Sequence, residues 1–181
     1  VPIILEEPKL EHGQLPRATK EAVVTQIIKD LDDAAGLLPT SQSQTGRATE
    51  GAAIALKARV LLYNEKWSEA ASAANEVMGM SYSLYPSYRD LFKIENENNS
   101  EVIFDAQFIS PEVGNFYELY IGAMGTGGWA SIVPMQELAD AYETTDGYDP
   151  ANPYENRDPR LKQTMFVPGS DYNSVGPLSV G

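Results

Sequence analysis

Apolar residues recur with a helical period through the first part of the chain and lose that period in the second. Pro2, Pro8, Gly13 and Pro16 break the first stretch into an extended, looped lead-in. From Thr19, a residue suited to N-capping, Val23, Ile27, Leu31, Ala34, Ala35 and Leu38 fall at helical spacing until Pro39 stops the pattern. A polar loop from Thr40 to Gly46 follows. Thr49 can then cap a second helix over Glu50 to Asn64, with Ala52, Ala53, Leu56, Val60 and Tyr63 on one face. Glu65-Lys66 is a tight connection to a third helix, Trp67 to Met78, whose inner face is predicted to carry Trp67, Ala70, Ala71, Ala74 and Val77. Alanine lets helix backbones approach closely, and so short a link makes the two helices antiparallel.

The string Leu62-Tyr63-Asn64-Glu65-Lys66-Trp67-Ser68-Glu69-Ala70 resembles the hinge of a tetratricopeptide unit. One such unit needs stacked neighbours to bury its face, and the first helix can serve on one side. Beyond Gly79 the pattern changes. Tyr82, Leu84, Tyr85 and Tyr88 lead into a short helical piece ending at Phe92, and a polar run covers Glu95 to Ser100. Glu101 to Ala106 reads as a short strand, rich in β-branched and aromatic residues. Residues 107 to 133 have no period and mix Phe108, Phe116, Tyr117, Tyr120 and Trp129 with Gly122, Gly125, Gly127 and Gly128. Pro134 at a first helical position predicts a fourth helix carrying Leu138, Ala141 and Tyr142; Asp146-Gly147 turns the chain, and a last strand is predicted at Gln163 to Val167. The fold class is therefore mainly α: a tetratricopeptide-like helical scaffold over 17–79, and an irregular, loop-rich part with minor β over 80–181, in a single piece 1–181.

Charge narrows the partners. With 13 Lys and Arg against 26 Asp and Glu in 181 residues, the net charge is −13, which repels nucleic-acid phosphates and anionic lipid headgroups. There is no cysteine for a disulfide, a thiolate nucleophile or a soft metal site, and a single histidine, His12, lies in the lead-in. No apolar stretch approaches the roughly 20 residues that span a bilayer. Val1 to Glu7 lacks the basic start and apolar core of a leader, so the chain reads as a piece of a longer protein.

Several blocks, in order, carry a resemblance. They are Arg17-Ala18-Thr19 with Leu37-Leu38-Pro39; Gly46-Arg47-Ala48-Thr49 followed by Ala55-Leu56-Lys57-Ala58-Arg59-Val60-Leu61-Leu62-Tyr63; and Tyr88-Arg89-Asp90-Leu91-Phe92. Asn96-Glu97-Asn98, Glu101-Val102-Ile103-Phe104, Leu138-Ala139-Asp140-Ala141-Tyr142 with Asp146-Gly147, and Tyr154-Glu155-Asn156-Arg157-Asp158-Pro159-Arg160-Leu161 complete it. Over about residues 15 to 166 the chain resembles the SusD/RagB family of nutrient-binding outer-membrane lipoproteins. The resemblance implies a cell-surface protein, lipid-anchored outside this stretch of chain. It implies tetratricopeptide helices beside an irregular region, and capture of starch-like or other glycans for delivery to a SusC-like TonB-dependent transporter. It implies no cofactor and no catalysis.

The sharpest candidate site is the aromatic, glycine-rich stretch from Phe108 to Trp129. A flat ring can cover the C–H face of a sugar while an amide bonds its hydroxyl rim. Family members place such rings on loops after the Glu-Val-Ile-Phe strand, so the resemblance assigns stacking to Tyr117, Tyr120 and Trp129; Asn115 is the nearest amide. The competing reading is that these rings fill a core or pack under a loop; Trp67 is expected in the core of the repeat. Asp140, Glu143, Asp146 and Asp149 read as a solvated surface rather than a glycosidase pair or a calcium loop, because nothing desolvates them and Gly147 and Pro150 stand where ligands are needed. Asn156 to Arg160 reads as a structural lock. The alternative function is a protein-interaction scaffold on the helices without glycan binding.

Overall fold

The computed structural model describes residues 1–109, 114, 116–122 and 127–170. A 3-10 turn at Leu10–Gln14 precedes α1 (Lys20–Leu37), α2 (Glu50–Tyr63) and α3 (Trp67–Met78). Further 3-10 turns at Asp90–Phe92 and Ile94–Asn96 lead to three five-residue helices, α4 (Tyr117–Ile121), α5 (Gln136–Asp140) and α6 (Arg160–Thr164). The chain forms two compact units, Val1–Pro86 with Ile94–Gln107, and Ser87–Lys93 with the chain from Phe108 onward.

In the first unit the helices start where their caps dictate. The Thr19 hydroxyl accepts from the Ala22 amide at 3.2 Å, and Thr49 from Ala52 at 3.4 Å. Thr49 also shares a hydrogen bond of 3.1 Å with the Tyr82 hydroxyl. That ring lies so close to α2 that a Cβ on Gly51 would come within 2.5 Å of its oxygen, which is why the first turn carries a glycine. At the α2–α3 hinge Glu65 takes a left-handed φ of 59°, and the Lys66 amide donates to the Leu61 carbonyl at 3.0 Å, closing the end of α2.

The buried faces differ from the predicted ones. In α2 the buried residues are Gly51, Ala53, Ile54 and Leu61; Leu56 and Tyr63 are exposed, Tyr63 by 80%. The reason is that α2 packs against both α1 and α3, so its covered surface is wider than, and rotated from, a single stripe. In α3, Ala70, Ala73 and Val77 are buried, while Ala71 and Ala74 face outward. Trp67 is 62% exposed and not part of the core: at the first position of α3, the outer end of the hairpin, most of the indole overhangs the packed stripe. Ile54, Leu61, Ala70, Ala73 and Val77 form the core cluster, joined by Ile28, Ala35, Met80, Tyr82 and Ile103.

The predicted strand at 101–106 does not form a ladder. Ser83 donates to the Ser100 carbonyl at 3.0 Å, Tyr85 to the Glu101 carboxylate at 2.7 Å, and Ile103 packs on the helical core. A β-rich composition here describes a half-buried surface rather than strand pairing.

In the second unit the expected strand at 163–167 is replaced by α6 and the segment after it. Leu161, Met165 and Val167 are buried with Ala139, flanked by Tyr142 and Tyr154. Asp158 starts α6 by accepting from the Arg160 amide at 2.9 Å and from its guanidinium, which holds the Asp158 carboxyl down to about 2. The predicted fourth helix is the shorter α5, and Pro134 precedes its Met135 cap. Its carbonyl end is closed by Arg157, which donates to the carbonyls of Ala139 and Pro153 and lies 5.9 Å from the Tyr148 ring centroid. Thr145 to Asn156 at 2.7 Å and Asp158 to Glu143 at 2.8 Å tie the two segments together, with an isolated antiparallel bridge between Thr144 and Arg157. The 156–160 segment is thus a lock between α5 and α6. Arg157→Met should lower the stability of this unit by about 1–3 kcal/mol, through the carbonyls left unpaired; urea unfolding followed at Trp129 measures it.

Candidate functional site

The aromatic candidates sit on α4 and on the chain that returns over its end. A five-residue helix leaves its carbonyls without intrahelical partners. Here the returning segment supplies the donors. Trp129 donates to the Leu119 carbonyl at 2.7 Å, Ala130 to Gly122 at 2.9 Å, and Ser131 and Ile132 to Tyr120 at 2.8 and 3.1 Å. The return needs backbone conformations and clearances that side chains oppose. Gly127 has a φ of 90° and Ala130 a φ of 46°. Gly128 lies so close to Gly122 that a Cβ on it would be 2.2 Å from the Gly122 carbonyl carbon and oxygen. The freedom of these glycines is spent on closing one backbone against another, and not on letting backbone approach a ligand.

This frame sets Trp129 against Tyr120, with ring centroids 5.6 Å apart and planes at 79°. Such an edge-to-face pair contributes about 0.5–1.5 kcal/mol beyond its area burial. Both rings remain open to solvent, Trp129 by 57% and Tyr120 by 39%. Tyr117, one turn earlier on α4, is 61% exposed and shares the helix face of Tyr120. Phe108 and Phe116 are also exposed. The core-filling alternative therefore does not describe any of these rings. Asn115 lies outside the described residues.

An indole face and a phenol set at right angles make an apolar corner, suited to a ring-shaped ligand with one C–H face. The acidic residues of the same unit supply no complementary chemistry. Asp140, Glu143, Asp146 and Asp149 are all exposed; Asp149 is held below the usual carboxylate range by Asn152 and the Ala151 amide, and Asp140 accepts from Gln136 at 3.0 Å. Among the described residues no three His, Asp or Glu side chains converge on a metal position. The backbone closure at Gly122 and Gly128 was not legible as a support for the site, although two adjacent glycines before a tryptophan are its only local trace.

Comparison with known proteins gives this geometry a context. A family model described as the SusD family matches residues 77–177, more than half of the chain, and a model described as starch-binding associating with outer membrane matches residues 1–62. The chain belongs to the SusD family. It is 26% identical over 97% of its length to a SusD-like protein, P25, of Formosa agariphila, and 28% identical over 96% to a SusD-like protein of Bacteroides ovatus. It spans about a third of the length of these curated relatives, 32% and 34%. Among solved structures, a SusD-like carbohydrate-binding protein of Bacteroides fragilis superposes with a TM-score of 0.84 at 25% identity, covering 97% of this chain and 37% of that one. A second SusD-like protein of the same organism gives a TM-score of 0.71 at 32% identity, covering 91% and 38%. The fold is accordingly the helical, tetratricopeptide-like one of SusD proteins, and carbohydrate binding and outer-membrane association are properties of the family.

Proposed function

We propose that this SusD-family chain captures glycans at the corner formed by Tyr120 and Trp129, with Tyr117 beside them on α4 and Asn115 as an amide for the hydroxyl rim. The observation that carries this reading is an edge-to-face pair held on a backbone frame while both rings stay open to solvent. The protein binds and releases without breaking bonds, and it hands the glycan to a SusC-like TonB-dependent transporter at the cell surface, where a lipid anchor outside these residues holds it at the outer membrane. Two or three ring contacts place a short oligosaccharide in the millimolar regime, about −4 kcal/mol. That suits transfer, since polymeric glycans regain affinity through multivalency.

The test is a titration with maltooligosaccharides and a wider glycan panel in a Trp67→Phe background, where Trp129 alone reports. A fluorescence change is expected, with Trp129→Ala binding weaker by about tenfold or more when followed by NMR. No response from Trp129 or from the α4 amides across the panel would overturn the reading. A second reading, a protein-interaction scaffold, is favoured by the exposed Leu62, Tyr63 and Trp67 around the α2–α3 hinge. Under that reading, polar replacements at Leu62 and Tyr63 abolish partner capture and Trp129→Ala does not.

A further inference from the structure

The first unit carries a second concavity, remote in sequence from the aromatic corner. One cavity of about 350 Å³ and an adjoining one of about 820 Å³ lie between the loop before α2 and the segment around residues 98–107. Arg47, Phe104 and Asp105 line both, so they stand at the junction. The walls are tied to themselves. Gln42 donates to the Ala48 carbonyl at 2.8 Å, Arg47 Nε donates to the Gln44 amide oxygen, and Asn98 donates to Gln107 at 3.4 Å. The turn at Gly46, with a φ of 84°, lies so close to the Gln107 side chain that a Cβ there would stand 3.3 Å from it. What remains uncommitted at the junction is chemically distinctive. Arg47 keeps its two Nη groups out of any ion pair among the described residues, and the half-buried Asp105 makes neither an ion pair nor a hydrogen bond among them. Phe104, 58% exposed, adds an apolar surface to the lining of both cavities.

A guanidinium and a carboxylate that line one cavity each attract the charge the other repels, so neither a purely anionic nor a purely cationic occupant is favoured by both. They suit a neutral ligand that offers a donor and an acceptor on neighbouring atoms. A vicinal diol does this, the carboxylate accepting from one hydroxyl while the guanidinium donates to the next. The aromatic ring then covers a C–H face. We infer that the groove at Arg47, Phe104 and Asp105 is a second subsite for a neutral pyranose. The ligand class rests on the glycan-binding reading above; the location does not depend on α4 or its loop. Two subsites on one chain would let separate stretches of one polymer be held together, raising retention without tightening either contact.

The experiment uses the full chain, labelled with ¹⁵N, and methyl α-glucopyranoside, methyl β-galactopyranoside and xylose as probes, each to about 50 mM, in keeping with a millimolar site. With the Trp129→Ala variant, shifts are expected at the amides of residues 45–47 and 104–106 with at least one probe. Asp105→Asn and Arg47→Gln, each of which removes a charge and keeps a hydrogen-bonding amide, should each weaken that response about tenfold. Shifts on α4 and at Trp129 of the parent chain, with none at the groove, overturn the second subsite and leave the first reading standing. Shifts at the groove alone uphold the subsite and overturn the aromatic corner. Groove shifts unchanged by both substitutions overturn the assignment of Arg47 and Asp105, and silence at both places overturns both readings.

Discussion

Leu61→Ala should lower the stability of the first unit by about 2–5 kcal/mol, the upper part of that range being expected. Leu61 is 1% exposed and sits among Ile54, Ala70, Ala73 and Val77. All four of these neighbours are small or β-branched, so they cannot swing into the space that an isobutyl group vacates. The cavity term therefore adds to the lost transfer energy instead of being relieved by collapse. The two tryptophans make the measurement specific, because Trp67 belongs to the first unit and Trp129 to the second. Urea unfolding read at Trp67, in a chain with Trp129 replaced by Phe, should show a lower midpoint with an unchanged slope. An unchanged midpoint would mean that Leu61 is not the centre of this core.

Gly128→Ala should cost about tenfold or more in glycan affinity while leaving the Leu61 core intact. The methyl group has no room: its carbon would lie 2.2 Å from the Gly122 carbonyl and 2.4 Å from the Gly122 Cα, and backbone cannot rotate out of the way as a side chain can. The returning segment must lift from α4, which removes the hydrogen bonds from Trp129 to Leu119 and from Ala130 to Gly122. Trp129 then loses its fixed place beside Tyr120. Far-UV circular dichroism and the Trp67-monitored midpoint should be unchanged, whereas the glycan titration should flatten. Retention of affinity in this variant would show that the frame does not position the indole.

Features that a few neighbouring residues decide were legible in the sequence. Thr19 and Thr49 announce helix starts because a cap needs only the amide three residues on, and both bonds are present. The three helices of the first unit follow the predicted order, with α3 spanning Trp67–Met78 as expected. That Tyr120 and Trp129 stand open was implied only by the family resemblance, and the rings are open. Features decided by distant neighbours were not legible. The buried face of α2 depends on having α1 and α3 on two sides, so a one-stripe pattern chose Leu56 and Tyr63 over Ile54 and Leu61. Glu101 to Ala106 has the composition of a strand, yet strand formation needs a partner edge, and the segment instead docks Ile103 on helices. The support given by Gly122 to Gly128 crosses a sequence gap that no local rule spans. Arg47 and Asp105, 58 positions apart, meet at one groove only because the fold folds back on the start of α2.

The returning segment over α4 has a bearing on how the proposed site could change its ligand. Main-chain atoms, not side chains, dictate where residues 120 and 129 stand. Exchanging one ring for another, tryptophan for tyrosine or phenylalanine, would therefore redraw the outline offered to a sugar without unsettling the architecture beneath. Under the proposed glycan reading, descendants of one sequence could diversify their carbohydrate preference through these two positions at little structural risk.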